Sequence, residues 1–300
     1  MASDLELSAM RHAIALSAFG LGTTSPNPPV GCVILDQGGT LVGAGFHQRK
    51  GEPHAEAHAL NAAGGAARGG TAVVTLEPCN HVGVTPACRQ ELINAGISRV
   101  VIAVIDPTSR GEGGASMLTA AGVEVETDVL RDESLTVLEP WLTATVRRRP
   151  YLTWAFAAEG GYQSAAEERL LLDLRANADL VIAGKTLDEG IPGGHASAHF
   201  TLLGDADIGA GLSQWLSAAY EAGVRSTLVV GHEHGAALRP HLHAVDELVV
   251  AVPRTDPSQA LGVVHSDLIP IGFRLVEVAA HADSLTSRMR RLRAWRGIDS

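Results

Sequence analysis

Three short polar clusters in this chain carry residue types that could do chemistry. The first is His54-Ala55-Glu56, at the head of the helically patterned stretch PHAEAHALNAA. The second is Pro78-Cys79, closing the apolar run TAVVTLEP. The third is Cys88, with His81 in the stretch NHVGVTPA that separates the two cysteines. Zinc takes thiolate and imidazole ligands in a tetrahedron, and a catalytic zinc keeps one position for water. One histidine and two cysteinates supply three ligands, and two thiolates balance the dication. Glu56 follows the histidine by two positions. A carboxylate there can carry protons away from an attacking water and on to a leaving group.

The spacing H-x-E followed by P-C-x-x-C is the signature of zinc deaminases. Here H-A-E and P-C are present, but the second cysteine comes late, after eight residues. A helix that starts after a strand can still bring its first turn close to the strand's end, with the inserted loop as a wall. Free cysteines are mostly small buried hydrophobes. Cys32, inside the apolar run PVGCVILD, is read that way. Cys79 and Cys88 gain a metal role from their company: H-A-E before a helix and P-C after a strand. His58 lies one turn beyond His54 on the same helix face, and H-x-x-x-H pairs can bind zinc. With three better ligands present, His58 is read as a packing or supporting residue.

These clusters sit at the ends of alternating elements. Leu5–Phe19 has the spacing of an amphipathic helix. Pro29–Asp36 and Thr40–His47 read as two strands of a hairpin. Pro53–Ala63 is a helix with proline in its first turn. Thr71–Pro78 is a buried strand, Thr85–Ala95 a second helix ending before Gly96, and Arg99–Asp106 and Glu124–Leu130 two further strands. The stretch Glu139–Trp154, with three arginines before Pro150, reads as a boundary between domains 1–146 and 147–300. Beyond it, RANADLVIAGKTL, RSTLVVGHEHG and DELVVAVP again alternate helix and strand. The basic run SRMRRLRAWR reads as a solvated terminal face. The histidines of GHEHGAALRPHLH (His232, His234, His241, His243) read as solvated or capping groups, not a second metal site.

The bulk numbers fit an α/β protein with two domains. The chain has 300 residues, 46% of them hydrophobic and only 4% aromatic, with a formal net charge of −10. That length suffices for two cores. An acidic chain has no field to gather nucleic acid, so no nucleic-acid partner is expected. Three cysteines are too few for a disulfide framework and suit a reducing cytoplasm. The N-terminus carries Asp4 and Glu6 where a signal peptide would be basic, and no apolar run reaches the roughly 20 residues needed to cross a bilayer. A cytoplasmic location away from membranes is expected.

The stretches SPNPPVGCVILD, GFHQRKGEPHAEAHAL, VTLEPCNHVGVTPAC and LINAGISRVVIAVIDP closely resemble the deaminase domain of the bifunctional riboflavin-biosynthesis deaminase/reductase family. The resemblance covers about Leu5–Val129. It implies a three-layer, cytidine-deaminase-like α/β domain. The implied activity is hydrolytic removal of an amino group from 2,5-diamino-6-ribosylamino-4(3H)-pyrimidinone 5′-phosphate, with release of ammonia. By the same likeness His54, Cys79 and Cys88 hold one zinc, Glu56 is the proton carrier, and Asn27, His47 and His81 match positions lining the substrate pocket. The stretch RRRPYLTWAFAAEGGYQSAAEERLLLDLRANADLVIAGKTL resembles the start of the family's NADPH-dependent reductase domain, which has a dihydrofolate-reductase-like α/β fold.

Several positions depart from the family pattern. Val84 stands where the family has a lysine or arginine facing the substrate phosphate, and TSRGEGG (Thr108–Gly114) replaces the usual loop after the strand. Losing a charge-assisted phosphate contact costs a few kcal/mol unless it is replaced. Either Arg49, Lys50 or Arg110 supplies the cation, or the substrate is another, unphosphorylated amino-heterocycle. In the second half, Ala155 replaces the family's lysine, AAEGGY lacks its aspartate, and GHEHGAAL (Gly231–Leu238) replaces its glycine-rich phosphate cradle. Bound NADPH is therefore not expected. The second domain is expected to serve packing or dimerisation, within a homodimer.

Overall fold

Strands β1 (Gly31–Leu35) and β2 (Leu41–Phe46) form an antiparallel hairpin, and β1 also pairs antiparallel with β3 (Thr71–Leu76). β3, β4 (Arg99–Val104) and β5 (Glu124–Glu126) then run parallel, giving the sheet order β2-β1-β3-β4-β5. The residues of β1 are all buried, as are all but the first of β3 and of β4, which explains their near-continuous apolar sequence. Each fully buried Val or Ile contributes about 2 kcal/mol of transfer free energy.

Helix α1 (Asp4–Ser17) starts in a reciprocal capping box between Ser3 and Glu6 and packs against Gly31, where any Cβ would strike the Ala13 carbonyl oxygen. Helix α2 (Ala55–Ala63) lies on the opposite face. Gly43 and Gly45 of β2 make its close approach possible, because a Cβ on either would collide with Ala59 or His58 of α2. Cys32 is the cross-strand partner of Gly45, so it shares the face that α2 covers. The layers are helix, sheet, helix. Helices α3 (Cys88–Ala95) and α4 (Gly113–Ala120) follow β3 and β4. The computed structural model describes residues 1–80, 87–109, 111–157, 165–195, 211–253, 272–281 and 284–292.

The chain divides into two units, Met1–Leu142 and Thr143–Ser300. Glu139–Trp154, read from sequence as a boundary, holds no open linker. It contains the end of α5 (Arg131–Arg147), with Pro140 inside the helix, then three residues, then the start of β6 (Tyr151–Ala157).

The second unit has a seven-stranded sheet, in the order β11-β12-β10-β6-β9-β7-β8. Its strands are β6, β7 (Leu180–Ala183), β8 (Thr186–Glu189), β9 (Ser226–Val230), β10 (Glu247–Pro253), β11 (Phe273–Ala280) and β12 (Ser284–Arg291). Strands β10, β6, β9 and β7 are parallel. One face packs Trp154, Phe156 and Ile182 against Leu212, Trp215 and Leu216 of α7 (Leu212–Glu221) and Leu238 of α8 (Gly235–Leu238). The other packs Ala155, Val181, Leu228 and Val249 against Leu174 of α6 (Ala165–Ala176).

The basic run SRMRRLRAWR, expected as a solvated face, differs from expectation. Arg288 and Arg290 lie on β12, inside the sheet, and both pair with the buried carboxylate of Glu247 at 2.7 and 2.9 Å. Arg147 and Arg149 pair with buried Asp246 at 2.9 and 2.7 Å. Two adjacent buried acids at the start of β10 need this many cations, since an unpaired buried charge costs far more than a surface one. Spacing along the chain gives no sign of partners about 40 to 100 residues away.

Candidate metal centre and active site

His54 is the N-cap of α2, with extended backbone and a side chain that makes no cap hydrogen bond. Its imidazole is thus free to turn toward Cys79, which follows the end of β3, and Cys88, the first residue of α3. His54 Nδ1 lies 3.2 Å from Cys88 Sγ, and the Cys88 backbone N–H donates to Cys79 Sγ at 3.3 Å. The three candidate ligand atoms lie within 4.8 Å of one another. Among the described residues, no other group of three or more His, Cys, Asp or Glu has this geometry. One imidazole and two sulfurs at this separation suit a tetrahedral zinc with one position left open.

The charges show what such a site lacks without a cation. The Cys79 thiol is pulled down to about 4, first by the hydrogen bond from Cys88 and also by His54 and the Cys88 backbone N–H. Cys88 is driven up, first by its hydrogen bond to Cys79 and then by burial. The two sulfurs share one negative charge. A dication would let both ionise, which is the electrostatic requirement of a thiolate-rich zinc site.

Glu56, in the first turn of α2, is only 3% exposed. Burial pushes its carboxyl up to about 7, partly offset by the charge of His54. A carboxyl poised near neutrality can both take and give a proton. A bound dication would act in the opposite direction. Cys32 lies beneath it on β1, fully buried, its thiol raised by burial and by the Glu56 charge. That is the core role expected of Cys32.

Asn27 and His47 come together, although twenty residues separate them. Asn27 Nδ2 donates to His47 Nε2 at 3.2 Å, and His47 Nδ1 donates to the Pro53 carbonyl at 3.1 Å. The proline carbonyl can only accept, so Nδ1 carries the proton and Nε2 is the acceptor. His47 is 2% exposed, and burial lowers its basicity, which keeps the ring neutral. Its ring meets that of His54 edge-on, with centroids 5.2 Å apart. Asn27 is thus held by a buried histidine that also touches the residue before a candidate ligand. Arg49 is exposed in the turn after β2, as is Lys50. His58 is half-buried, and its Nε2 has no hydrogen-bond partner among the described residues. His81, Val84 and Arg110 lie outside the described residues.

Sequence reasoning passed over Glu77. It is 5% exposed, and its carboxylate accepts from Asp106 N, Ser109 Oγ and Ala115 N at 3.2, 2.8 and 2.9 Å. The available signal was an acidic residue in an otherwise apolar strand end, LEPC.

The profile described as the cytidine and deoxycytidylate deaminase zinc-binding region matches residues 4–104. The chain is 43% identical over 189 residues to a riboflavin biosynthesis protein RibD of Mycobacterium tuberculosis, a match covering 59% of this chain and 56% of that protein. It spans about half the length of such relatives. It is 52% identical over 126 residues to a diaminohydroxyphosphoribosylamino-pyrimidine deaminase of Buchnera aphidicola, covering 42% of this chain and 85% of that protein. A crystal structure of a deaminase/reductase from Thermotoga maritima superposes with a TM-score of 0.76 at 23% identity, over 96% of this chain and 99% of that one. That likeness gives the fold of both units: a cytidine-deaminase-like domain followed by a second α/β domain. No described helix is long and apolar enough to cross a membrane. With 85% of the Buchnera protein matched at 52% identity, the chain belongs to the diaminohydroxyphosphoribosylamino-pyrimidine deaminase family.

Proposed function

We propose that the first unit hydrolytically deaminates an aminopyrimidine with the help of one zinc ion, and that its substrate is 2,5-diamino-6-ribosylamino-4(3H)-pyrimidinone 5′-phosphate. The observation that carries this reading is the convergence of His54, Cys79 and Cys88 within 4.8 Å, with buried Glu56 two residues from the histidine. These three residues would hold the metal. When bound, zinc supplies a Lewis acid that makes water a competent nucleophile near neutral pH. Glu56 takes one proton from that water and passes it to the ring nitrogen next to the attacked carbon, then takes the second proton from the added hydroxyl and gives it to the departing amine. Ammonia leaves, and the carbon that bore the amino group becomes a carbonyl. Asn27, held by His47, offers a hydrogen bond to the sugar or the ring edge. Arg49, Arg110 and His81 are the candidates for the phosphate and the ring carbonyl.

The second unit, by this reading, no longer reduces the product and serves packing or homodimer formation. Ala155 on β6 offers no charge where the family pattern has lysine. The carboxylate of Glu233 lies over Gly231 at the end of β9, so that a Cβ on Gly231 would meet it at 2.3 Å. Parallel sheets take phosphates at this end of their strands, and a carboxylate there repels one.

The test is ammonia release from the phosphorylated diaminopyrimidine and from its dephosphorylated form. Strong preference for the phosphorylated compound supports the proposed substrate. Equal turnover makes it an unphosphorylated heterocycle, in line with Val84. No turnover of any aminopyrimidine by the zinc-loaded protein sinks the deaminase reading.

A further inference from the structure

Glu77 sits two residues before Cys79, buried, and among the described residues its hydrogen-bond partners are two backbone N–H groups and one hydroxyl. Its Oε1 accepts from Ala115 N in the first turn of α4, and its Oε2 from Asp106 N and Ser109 Oγ after β4. Burying a carboxylate is costly, and three donors, one at a helix N-terminus, offset that cost. The neighbouring backbone is fitted as closely. Gly113 lies against Glu77 Oε1, where a Cβ would come within 2.7 Å. Gly114 lies against the Pro78 carbonyl, where a Cβ would come within 1.9 Å. The Glu77 backbone N–H donates to the Val104 carbonyl at 2.8 Å, extending the pairing of β3 with β4 by one more residue. The segment Glu77-Pro78 is therefore fixed on several sides, and the next residue is a candidate zinc thiolate. Cys79 itself is held from the other side by α3, through Cys88 N to its sulfur and Arg89 N to its carbonyl.

We propose that Glu77 is a positioning residue for the metal centre: it fastens the strand end that carries Cys79 to the loop after β4 and the start of α4, so that the thiolate is aimed before metal binds. This rests on the zinc reading above. Groups behind a ligand that orient it are worth about tenfold to a hundredfold in metal affinity. A glutamine cannot replace Glu77 cleanly, since its amide N–H₂ would face an N–H or O–H donor whichever way it turns.

The experiment uses the full chain and the metal alone. Zinc retention is measured by competition with a chromophoric chelator, and thiolate geometry by the absorption spectrum of the cobalt-substituted protein. Glu77→Gln should weaken zinc retention about tenfold or more and shift the cobalt spectrum. Ser109→Ala, which removes one of the three donors, should weaken it about threefold in the same direction. Glu6→Gln is the control. It disturbs a buried carboxylate of the same unit, in the α1 cap and the Arg99 ion pairs, and should lower the urea midpoint without changing either metal readout. If Glu77→Gln does not fold, Ser109→Ala decides. Wild-type retention and spectrum in the folded Glu77 variant, or in Ser109→Ala where it decides, overturn the proposal. So does an equal loss in Glu6→Gln. A wild-type chain that holds no zinc brings down the deaminase reading, and the positioning role with it.

Discussion

The backbone N–H of Cys88 points at the sulfur of Cys79 from 3.3 Å. The same helix start thus supplies one candidate ligand and stabilises the charge on the other, as helix N-termini do for anions. This explains how two cysteines so far apart in sequence can share a site. A C-x-x-C pair brings its sulfurs together within one turn, whereas here the strand end and the helix start do so.

Removing either thiolate should remove the metal. Cys79→Ser and Cys88→Ser should each leave the protein without stoichiometric zinc by elemental analysis, and without ammonia release. Glu56→Ala should keep its zinc yet lose at least about a hundredfold in turnover, since general acid–base groups contribute that much or more. Full activity in Glu56→Ala would remove Glu56 from the mechanism.

Asn27 and His47 should act as one unit. Because His47 has both ring nitrogens occupied and little exposure, its effect on substrate passes through Asn27. Asn27→Ala and His47→Ala should each raise KM by about tenfold, the worth of one well-placed hydrogen bond. The double variant should be little worse than either single one, with a coupling of about 1 kcal/mol. Additive losses would show two independent contacts.

The candidate ligands were legible in the sequence because metal chemistry restricts residue type, and because H-A-E and P-C fall at predictable ends of a helix and a strand. The alternating elements were legible from period alone. The sequence pattern predicts a second helix from Thr85, but the described helix begins at Cys88 with Ala87 as its N-cap, which puts the sulfur in the first turn. Glu77 and the Asn27–His47 pair were harder to read. Glu77 gains its meaning from backbone donors about 30 to 40 residues away, and backbone donors leave no mark in a sequence. The run SRMRRLRAWR misled for a related reason: its partner Glu247 lies about 40 residues away along the chain.

Acid should weaken the second unit through Glu247. Its carboxyl is 2% exposed; burial raises its pKa, but Arg288 and Arg290 outweigh this and hold it below the ordinary carboxylate value. A group whose folded pKa is depressed contributes stability that is fully present above its unfolded value, about 4.3, and lost as pH falls through the folded value. The urea midpoint of the second unit should therefore drop below about pH 4 in the wild type. Glu247→Gln should be less stable by about 3 kcal/mol at pH 7, because two partly buried guanidinium groups lose a buried carboxylate partner. It should also lose less on acidification. An unchanged acid limb in the variant would assign that limb to other carboxylates.

NADPH should not bind the second unit with useful affinity. A dinucleotide needs backbone N–H groups and a positive field at the ends of β6 and β9. Here the Glu233 carboxylate lies over Gly231 at the end of β9, and Ala155 of β6 is an uncharged residue packed in the core. His234 is buried beside that carboxylate, and burial lowers its basicity, so it adds no dependable positive charge. Fluorescence titration with NADPH should show no saturable binding in the micromolar range. Glu233→Gln should change this little, because removing one negative charge does not rebuild a cradle of backbone donors. If the wild type instead saturates at micromolar NADPH, the second unit has kept its cofactor, and the test then moves to reduction of the deaminated product.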